Sequence, residues 1–438
     1  MSACGNWGRT NLRRRGVTRD LSTLERAPAG GLLPYGNGRS YGDTCLNDAG
    51  RLIDMRDRDR LLSFDPRTGR VRAEAGMMLS DLVALVSPYG LFPPVVPGTR
   101  FVTLGGMLAN DVHGKNHHRR GTFGAHVRRF ALARSDGTQV IEPGHPFFAP
   151  TVGGMGLTGV VTWLEFDLMR VAGGAVRQAA TPFANLAEYF ERIEVAEEAH
   201  EYAVAWVDAL ATGDALGRGV LLSGDHVAGD VALKSPRLSV PFTPPVPLVG
   251  RATMRPFNAL YRATRRSGTV SAASFFWPLD AVGGWNRLYG PRGLHQHQSV
   301  IPHEAAAETL PLLLRTAQDA DHASFLTVLK RFGPAVSPGT LSFPRPGHTL
   351  TLDFAHRGRA TLDLLDRLDA ITLDAGGRTA AYKDARMSAE TFQRGYPWWR
   401  SVEKARDPAL MSDFWRRCIA REHVEAPPLQ HEPELETA

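Results

Sequence analysis

The chain has 438 residues, of which 43% are hydrophobic and 22% are charged. This balance is typical of a globular protein, and the length allows two or three domains, so a disordered, fibrous or collagen-like chain is excluded. The formal net charge is +6, and five of the 51 cationic residues are lysines. Arginine stays charged in proteins whereas lysine can lose its proton in a desolvated pocket, so the few lysines are candidates for chemistry.

The cysteines and the amino-terminal segment indicate the cellular compartment in which the protein is expected. Cys4, Cys45 and Cys418 are too few and too widely spaced for a disulfide framework or a cysteine-based zinc site. They indicate a reducing compartment, and we expect a cytoplasmic protein. No apolar run follows the arginines at 13–15, and no window approaches about 18 uninterrupted apolar residues. The sequence therefore predicts neither a secretory signal nor a membrane span.

The first 170 residues indicate short strands, glycine-rich turns and a few helices. Apolar runs predict strands at 52–55, 61–64, 71–75 and 160–168. A helix is predicted to begin at Ser80 and to end near 88–90.

After residue 176 the periodic segments become longer. Their spacing predicts helices at 186–199, 304–317 and 360–373, and strands at 202–207, 220–222 and 350–354. Segment 235–268 is rich in Pro, Arg and single large apolar residues, which predicts a mobile loop. The whole pattern predicts an α+β fold with an antiparallel sheet in its second part.

Three glycine-rich strings stand in the first part of the chain: YGNGRSYGD at 35–43, PGTRFVTLGGMLAN at 97–110 and VGGMGLTG at 152–159. Each would present several backbone N–H groups to an anion such as a pyrophosphate. The third has G-x-G-x-x-G spacing, but a predicted strand follows it rather than a helix, which excludes a Rossmann fingerprint. A single string would be interpreted as tight turns. Three in one region favour a dinucleotide that lies across the loops of a non-Rossmann fold.

The densest polar string is DVHGKNHH at 111–118. His113 and His117 have the four-residue spacing of a zinc-binding helix, but Gly114 disfavours that helix and Asp111 is the one local carboxylate. Two other interpretations stay open. The histidines could satisfy backbone groups in a buried loop, or the loop could face a cofactor ring and its substrate.

Three polar strings stand in the last third of the chain: HQHQ at 295–298 before an apolar strand, LKRFGP at 329–334 and AYKDAR at 381–386. Lys383 follows a predicted strand, and burial beside an aromatic residue would lower its pKa and allow it to act on a proton. The alternative is an exposed lysine paired with Asp384 or Asp353.

Taken together, the glycine-rich strings and DVHGKNHH resemble the FAD domain of the vanillyl-alcohol oxidase superfamily, which has a PCMH-type FAD-binding fold. WPLDAVGGWNRLYGPRGLHQHQSVIP, LKRFGP, LSFPRPG and YKDAR resemble more closely the decaprenylphosphoryl-β-D-ribose 2'-oxidase family, over about residues 32–418. The resemblance implies an FAD domain of two α+β subdomains at 1–176, completed by 378–438. Residues 177–377 would form a substrate-binding cap domain with an antiparallel sheet.

Carried over by motif, the resemblance implies catalytic, substrate-binding and cofactor-binding residues. Lys383, His113 and Gln298 would be catalytic, and Lys115, Lys330, Tyr289 and Thr351 would bind the substrate. FAD would be bound by Gly36, Asn37, Gly38, Arg39, Ser40, Tyr41, Gly98, Thr99, Thr103, Gly105, Gly106, Asn116, Gly159 and Val160.

The resemblance also has departures. Family members with covalent FAD usually attach it to a His of the first glycine loop. Arg39 and Tyr41 stand in that loop here, so we expect non-covalent FAD. His348, Thr349 and Thr351 stand where the family typically has Trp, Asn and Cys.

The implied reaction is oxidation of the 2'-carbinol of a polyprenylphosphoryl ribose to a 2'-keto sugar, the first half of a ribose-to-arabinose epimerisation for cell-wall arabinan. A short-chain-type reductase would act as partner on the keto sugar, and oxygen or a quinone-like acceptor would reoxidise the flavin. Lys383 would stabilise the developing alkoxide or take its proton, while His113 and Gln298 would orient the sugar. Lys115 and Lys330 would suit a phosphate or the charge of reduced flavin.

Three alternative functions are compared with this one, and one segment bears on attachment to a membrane. The alternatives are an alditol or aldonolactone oxidase of the same superfamily, a zinc-dependent hydrolase that uses His113, His117 and His118, and a nucleic-acid-binding protein. No compact basic stripe with interleaved aromatic residues supports a nucleic-acid partner. Cations and large apolar groups within 235–268 favour peripheral attachment to an anionic inner-membrane surface.

Overall fold

The computed structural model describes residues 4–233 and 238–419. Its strands are β1 (Gly16–Thr18), β2 (Leu32–Tyr35), β3 (Arg51–Asp54), β4 (Leu61–Asp65), β5 (Arg70–Glu74), β6 (Leu91–Phe92), β7 (Val127–Arg134), β8 (Gly137–Ile141), β9 (Val160–Asp167), β10 (Met169–Arg170), β11 (Ala175–Phe183), β12 (Tyr202–Val207), β13 (Gly219–Val227), β14 (Leu238–Ser239), β15 (Gly268–Ser271), β16 (Val282–Gly283), β17 (Leu294–Ile301), β18 (Val328–Phe332), β19 (Gly347–Ala355) and β20 (Arg378–Thr379).

The helices of the same described residues are α1 (Leu79–Val86), α2 (Leu104–Ala109), α3 (His117–Arg120), α4 (Phe148–Thr151), α5 (Leu186–Ala199), α6 (Arg251–Thr264), α7 (Ala272–Phe276), α8 (His303–Asp319), α9 (Arg359–Asp374), α10 (Ala389–Gly395), α11 (Trp399–Ala405) and α12 (Asp413–Ile419). None of them is long and apolar enough to cross a membrane.

The amino-terminal part contains a parallel and an antiparallel sheet. Strands β1, β3 and β2 form the parallel sheet, whose Leu33 and Leu52 share a core with Trp399 of α11 and Phe414 of α12. Strands β4, β5, β9, β7 and β8 form the antiparallel sheet, which shares a second core with α1 and α2. The carboxyl-terminal helices therefore complete the core of the parallel sheet, because their apolar side chains pack against its strands.

The largest sheet of the described chain has the strand order β15-β11-β13-β12-β18-β19-β17-β20, and each neighbouring pair is antiparallel. Successive side chains of a strand point to opposite faces. Leu329, Leu350 and Leu352 lie in the core formed with α5, α8 and α9. Lys330 and Thr351, one residue away, therefore lie on the other face.

The register of this sheet brings polar residues of neighbouring strands together. Gln298 of β17 pairs with Thr351 of β19, and Lys330 of β18 pairs with Thr349 of β19. A polar patch on an otherwise buried face is costly unless it is hydrogen-bonded or meets a ligand. The face of the sheet opposite to α5, α8 and α9 is thus the place to look for a site.

The α+β fold class is confirmed, and each predicted helix and strand is found, although β13 extends five residues beyond the predicted strand 220–222 and β19 begins three residues before the predicted strand 350–354. Two predictions were wrong. The predicted loop at 235–268 contains helix α6, because Met254, Phe257 and Tyr261 keep helical spacing between the arginines and Pro256. HQHQ lies inside β17 rather than before a strand, and its residues find polar partners there. Residues 235–237 of that loop, and 420–438 of the predicted FAD segment, lie outside the described residues.

Candidate active site

A cavity of about 390 Å³ lies between the glycine-rich loops and the face of the large sheet that carries Lys330 and Thr351. All three glycine strings contribute to its wall. The predicted residues that line it are Gly36, Asn37, Gly38, Arg39, Ser40, Tyr41, Gly98, Thr99, Thr103, Gly105, Gly106, Gly159, His113, Lys115, Gln298, Lys330, Thr351 and Lys383. The fold therefore brings the predicted cofactor loops and the predicted catalytic side chains to one cavity.

The loop after β2 has the shape of an anion cradle. A Cβ atom on Gly36 would lie 2.4 Å from Thr103 Oγ1, and Gly38 has a φ of +59° in the left-handed region. Among the described residues, no group accepts a hydrogen bond from the backbone N–H groups of residues 37–41. Unpaired N–H groups on a tight loop suit the diphosphate of a dinucleotide such as FAD.

The second glycine loop is held against the first loop and against Asp280, which follows α7. Asn37 Nδ2 donates to the Phe101 carbonyl at 2.8 Å. Asp280 accepts from Thr99 Oγ1 at 2.8 Å and from the Arg100 backbone N–H at 2.8 Å. The wall of the cavity is thus fixed by contacts between residues far apart in the chain.

The polar end of the cavity centres on His113. Lys330 Nζ lies 2.8 Å from His113 Nδ1 and also donates to the Gly114 carbonyl at 3.1 Å. Gln298 Nε2 lies 3.3 Å from His113 Nε2 and donates to Thr349 Oγ1 at 2.9 Å, whereas Gln298 Oε1 is buried without a partner among the described residues. The Gln298 amide nitrogen is also a donor, so these contacts place a nitrogen donor beside each ring nitrogen of His113; a neutral ring accepts at one nitrogen and carries its proton on the other.

Burial changes the charge of this end of the cavity. Burial, with the Lys330 and Lys383 charges, holds the pKa of His113 well below its usual range. Burial, with the charges of Lys383 and Lys115, holds the pKa of Lys330 well below its own usual range. Burial also lowers the pKa of Lys115 to about 7. Several amines that resist protonation together favour an anionic ligand, which would restore their charge.

Lys383 ends a single 3₁₀ turn, Ala381–Lys383, directly after β20. The next residue, Asp384, accepts from the Arg386 backbone N–H at 2.6 Å, and the Arg386 side chain lies 2.6 Å from Asp369 of α9. A Cβ atom on Gly42 would lie 1.6 Å from the Asp384 carbonyl, so this turn packs directly against the first glycine loop. Lys383 Nζ lies 5.6 Å from the centre of the Tyr41 ring.

The carboxylate of Asp353 faces Lys383 from β19. Tyr289 donates its hydroxyl to Asp353 at 3.5 Å, and Gln296 Nε2 also donates to it. Burial raises the pKa of Asp353 to about 7. Burial lowers the pKa of Lys383 to about 8, although the Asp353 charge acts in the opposite direction. Lys383 can therefore exchange a proton near neutral pH, as a general acid or base must.

Three predicted residues do not line the cavity. Asn116 donates to the Pro94 carbonyl and to Glu201, each at 2.9 Å, and so holds its loop from behind. Val160 is buried in the core below the third glycine string. Tyr289 is fully buried and contacts Asp353 rather than the cavity.

Other cavity residues were not predicted. Trp7 lines the cavity and lies 4.3 Å from the Arg39 guanidinium, and Asp280, Phe275 and Trp206 line it as well. Asp280 belongs to the string WPLD, in which a carboxylate among apolar residues could have indicated a buried polar contact. Trp7 had no local signal, since its role depends on a contact with a loop more than thirty residues away.

The histidines of DVHGKNHH do not converge. His117 packs against Phe332 with tilted rings whose centres are 4.6 Å apart, and His118 Nε2 lies 3.3 Å from the His200 carbonyl. Within residues 4–233 and 238–419, no three His, Cys, Asp or Glu side chains are grouped so that they could hold a metal ion. The zinc-hydrolase alternative therefore has no geometric support.

Comparison with known proteins adds a family assignment. Residues 25–141 match the model of an FAD-binding domain. The chain is 34% identical to decaprenylphosphoryl-β-D-ribose oxidase of Mycolicibacterium smegmatis, over 94% of this chain and 96% of that protein. It is 35% identical to an uncharacterised Streptomyces coelicolor protein of the mprA 5' region, over 77% of this chain and 99% of that protein. It is also 28% identical to mouse L-gulonolactone oxidase, over 28% of each chain.

The matching domain and the anion cradle define an FAD-dependent oxidoreductase that acts on CH–OH groups, with FAD as its cofactor. The similarity to one of these relatives extends along nearly the whole of both chains. The chain belongs to the decaprenylphosphoryl-β-D-ribose oxidase family of PCMH-type flavoproteins.

Proposed function

We propose that this protein oxidises the 2'-carbinol of a polyprenylphosphoryl-β-D-ribose to the 2'-keto sugar. The observation that carries the proposal is the convergence of Lys383, Gln298 and the His113–Lys330 pair on the cavity that the glycine loops also line. A relative that is similar along nearly its whole length is named as an oxidase of decaprenylphosphoryl-β-D-ribose.

Each polar residue of the cavity has a role in this reaction. When bound, FAD supplies the acceptor for the hydride that leaves the carbinol carbon. Lys383 takes the hydroxyl proton at Nζ, for which its pKa of about 8 is suitable. His113 and Gln298 hold sugar hydroxyls, and Lys330 positions the His113 ring. Thr351, whose side chain faces the same cavity, and Lys115 complete the substrate wall.

The FAD site and the domain division belong to the same proposal. The loop residues Gly36–Tyr41, with Gly98, Thr99, Thr103, Gly105, Gly106 and Gly159, would hold FAD, and Asn116 and Val160 would support those loops from behind. Residues 1–176 with 378–438 would form the FAD domain and 177–377 the cap. The shared core of Leu33, Leu52 and Phe414 supports the return of the chain to the first domain.

FAD is proposed to be bound without a covalent link, because no histidine stands in the first glycine loop. Precipitation of the holoprotein with acid should release all flavin into the supernatant. Flavin that stays with the washed precipitate would contradict this prediction.

A membrane surface is the proposed place of action. Leu238, Phe242 and Leu260 are 70%, 67% and 63% exposed in one segment that also carries Arg262 and Arg266. Exposed apolar side chains interspersed with cations suit an anionic lipid surface. A short-chain-type keto-sugar reductase is the proposed partner, since a 2'-keto product must be reduced to give the arabino sugar.

Anaerobic mixing of the FAD-loaded protein with farnesylphosphoryl ribose tests the function. We expect loss of the oxidised-flavin absorbance and one equivalent of 2'-keto sugar per flavin. Farnesylphosphoryl 2-deoxyribose, which lacks the reacting hydroxyl, is the control and should leave the flavin oxidised. Rapid reduction by soluble alditols or aldonolactones, with none by the lipid-linked riboside, would instead assign the alternative function.

A further inference from the structure

Two cations of the cavity wall have no carboxylate partner. Lys115 stands on the loop between α2 and α3, and Arg265 directly follows α6, yet both line the same cavity. The Arg265 charge contributes to the lowered pKa of Lys115, as it does when two cations lie close together. No carboxylate among the described residues pairs with either cation.

Aromatic rings and backbone groups hold the two cations in place. Lys115 Nζ donates to the Phe275 carbonyl and lies 4.5 Å from the centre of the Phe275 ring. The Arg265 guanidinium lies 4.0 Å from the centre of the Tyr261 ring. Such contacts position a cation without neutralising it. Arg265 Nε is buried and has no hydrogen-bond partner among the described residues.

We propose that Lys115 and Arg265 form a phosphate subsite that holds the phosphodiester of the lipid-linked sugar. Arginine presents two N–H groups side by side to phosphate oxygens, and lysine adds a compact charge. This inference rests on the proposed function, because that function supplies a phosphodiester between the sugar and the lipid.

The position of α6 supports this assignment over a site for free anions. Tyr261 and Arg265 at the end of α6 line the cavity, whereas Leu260 of the same helix is 63% exposed. The helix thus has one side at the sugar cavity and another at the proposed lipid surface. A phosphate at Arg265 would lie between the sugar and the lipid, which is its covalent position in the substrate.

The subsite is tested on the FAD-loaded protein with Arg265→Gln and Lys115→Met. Exposed cations on other elements give the matched controls, Arg359→Gln and Lys404→Met. With farnesylphosphoryl ribose, each subsite variant should raise the half-saturating concentration for flavin reduction about 10- to 100-fold, as expected for a lost charged hydrogen bond. The limiting rate should stay within about threefold, and Arg265→Lys should restore part of the affinity.

A phosphorus-free farnesyl riboside distinguishes a phosphate contact from general damage. Its half-saturating concentration should be the same in wild type and in the Arg265→Gln variant. Unchanged affinity of the variants for the phosphodiester, or an equal loss for the neutral riboside, would overturn the subsite.

Calorimetry with farnesyl phosphate separates the subsite from the reaction. This probe carries phosphate and no oxidisable sugar, so it should bind wild type more tightly than both variants even if no riboside is oxidised. Such a result would keep the subsite while the proposed function is lost.

Phosphatidylglycerol vesicles should bind wild type and variants alike. Loss of vesicle binding with unchanged affinity for farnesyl phosphate would assign the two cations to lipid headgroups and overturn the proposal.

Discussion

At the scale of single residues, Lys383 is the residue that we propose to take the proton of the substrate hydroxyl. Its turn is fixed by the Asp384–Arg386 contacts, it faces Asp353, and its pKa of about 8 lies close to neutrality. We expect Lys383→Arg to slow flavin reduction about 100-fold or more, because arginine keeps the charge but cannot release its proton. Anaerobic stopped-flow measurement with farnesylphosphoryl ribose isolates this step.

Lys404 provides the matched control for that substitution, since it is exposed on α11. The substrate should reduce the flavin of the Lys404→Arg protein at the wild-type rate. A Lys383→Arg protein that retains FAD and is reduced at the wild-type rate would remove Lys383 from the mechanism and leave His113 as the next candidate.

Lys115 should give the substrate-free protein a pH-dependent stability. Burial lowers its pKa from 10.5 to about 7, so the unfolded chain binds the proton more tightly than the folded protein. Stability is therefore lost as the pH falls from about 10.5 to about 7. Lys115→Met removes this loss, and we expect its melting temperature to exceed that of wild type by a few degrees at pH 7. The difference should shrink steadily towards pH 10, and a difference independent of pH would contradict this account.

At the scale of elements, local patterns predicted the loops but not the contacts between them. The glycine strings were found because tight turns leave a local signature, and the helical leucines of α9 were found because packing imposes a period. Asp353 was considered only as the partner of an exposed Lys383, and Trp7 and Asp280 were assigned no role, because each acts on a segment distant in sequence. Helix α6 was missed since Pro256 and its arginines hide a narrow apolar stripe.

Asp280 connects the segment after α7 to the second glycine loop. Asp280→Ala would leave the Thr99 hydroxyl and the Arg100 N–H without their acceptor, which costs about 1–3 kcal/mol when such groups remain buried. We expect a lower unfolding midpoint and weaker FAD binding, with a smaller effect for Asp280→Asn. The control is Asp214→Ala, at an exposed position, which should change neither quantity. Equal FAD affinity in Asp280→Ala and Asp214→Ala would show that the loop holds FAD without this contact.

At the scale of the whole molecule, the cavity is bounded by residues of the glycine loops, the large sheet and the segment around α6. Val204 and Trp206 of the large sheet share one continuous core with Leu104 and Phe123 of the amino-terminal part. This shared core ties the two parts together, so the polar patch of β17, β18 and β19 keeps a fixed place beside the glycine loops. Segment 238–264 is different, because it leaves large apolar side chains in solvent. We propose that these side chains belong to one interaction surface.

That surface should bind anionic membranes. We expect the FAD-loaded protein to sediment with vesicles that contain phosphatidylglycerol, and the bound fraction to fall as salt is added, because the arginines supply part of the attraction. Phe242→Glu together with Leu260→Glu should weaken binding tenfold or more, since both side chains would lose their apolar contact with lipid. Val195→Glu is the matched control, because Val195 is 66% exposed on α5, outside this segment. Equal sedimentation of the double variant and the Val195→Glu protein would place the lipid-binding surface elsewhere.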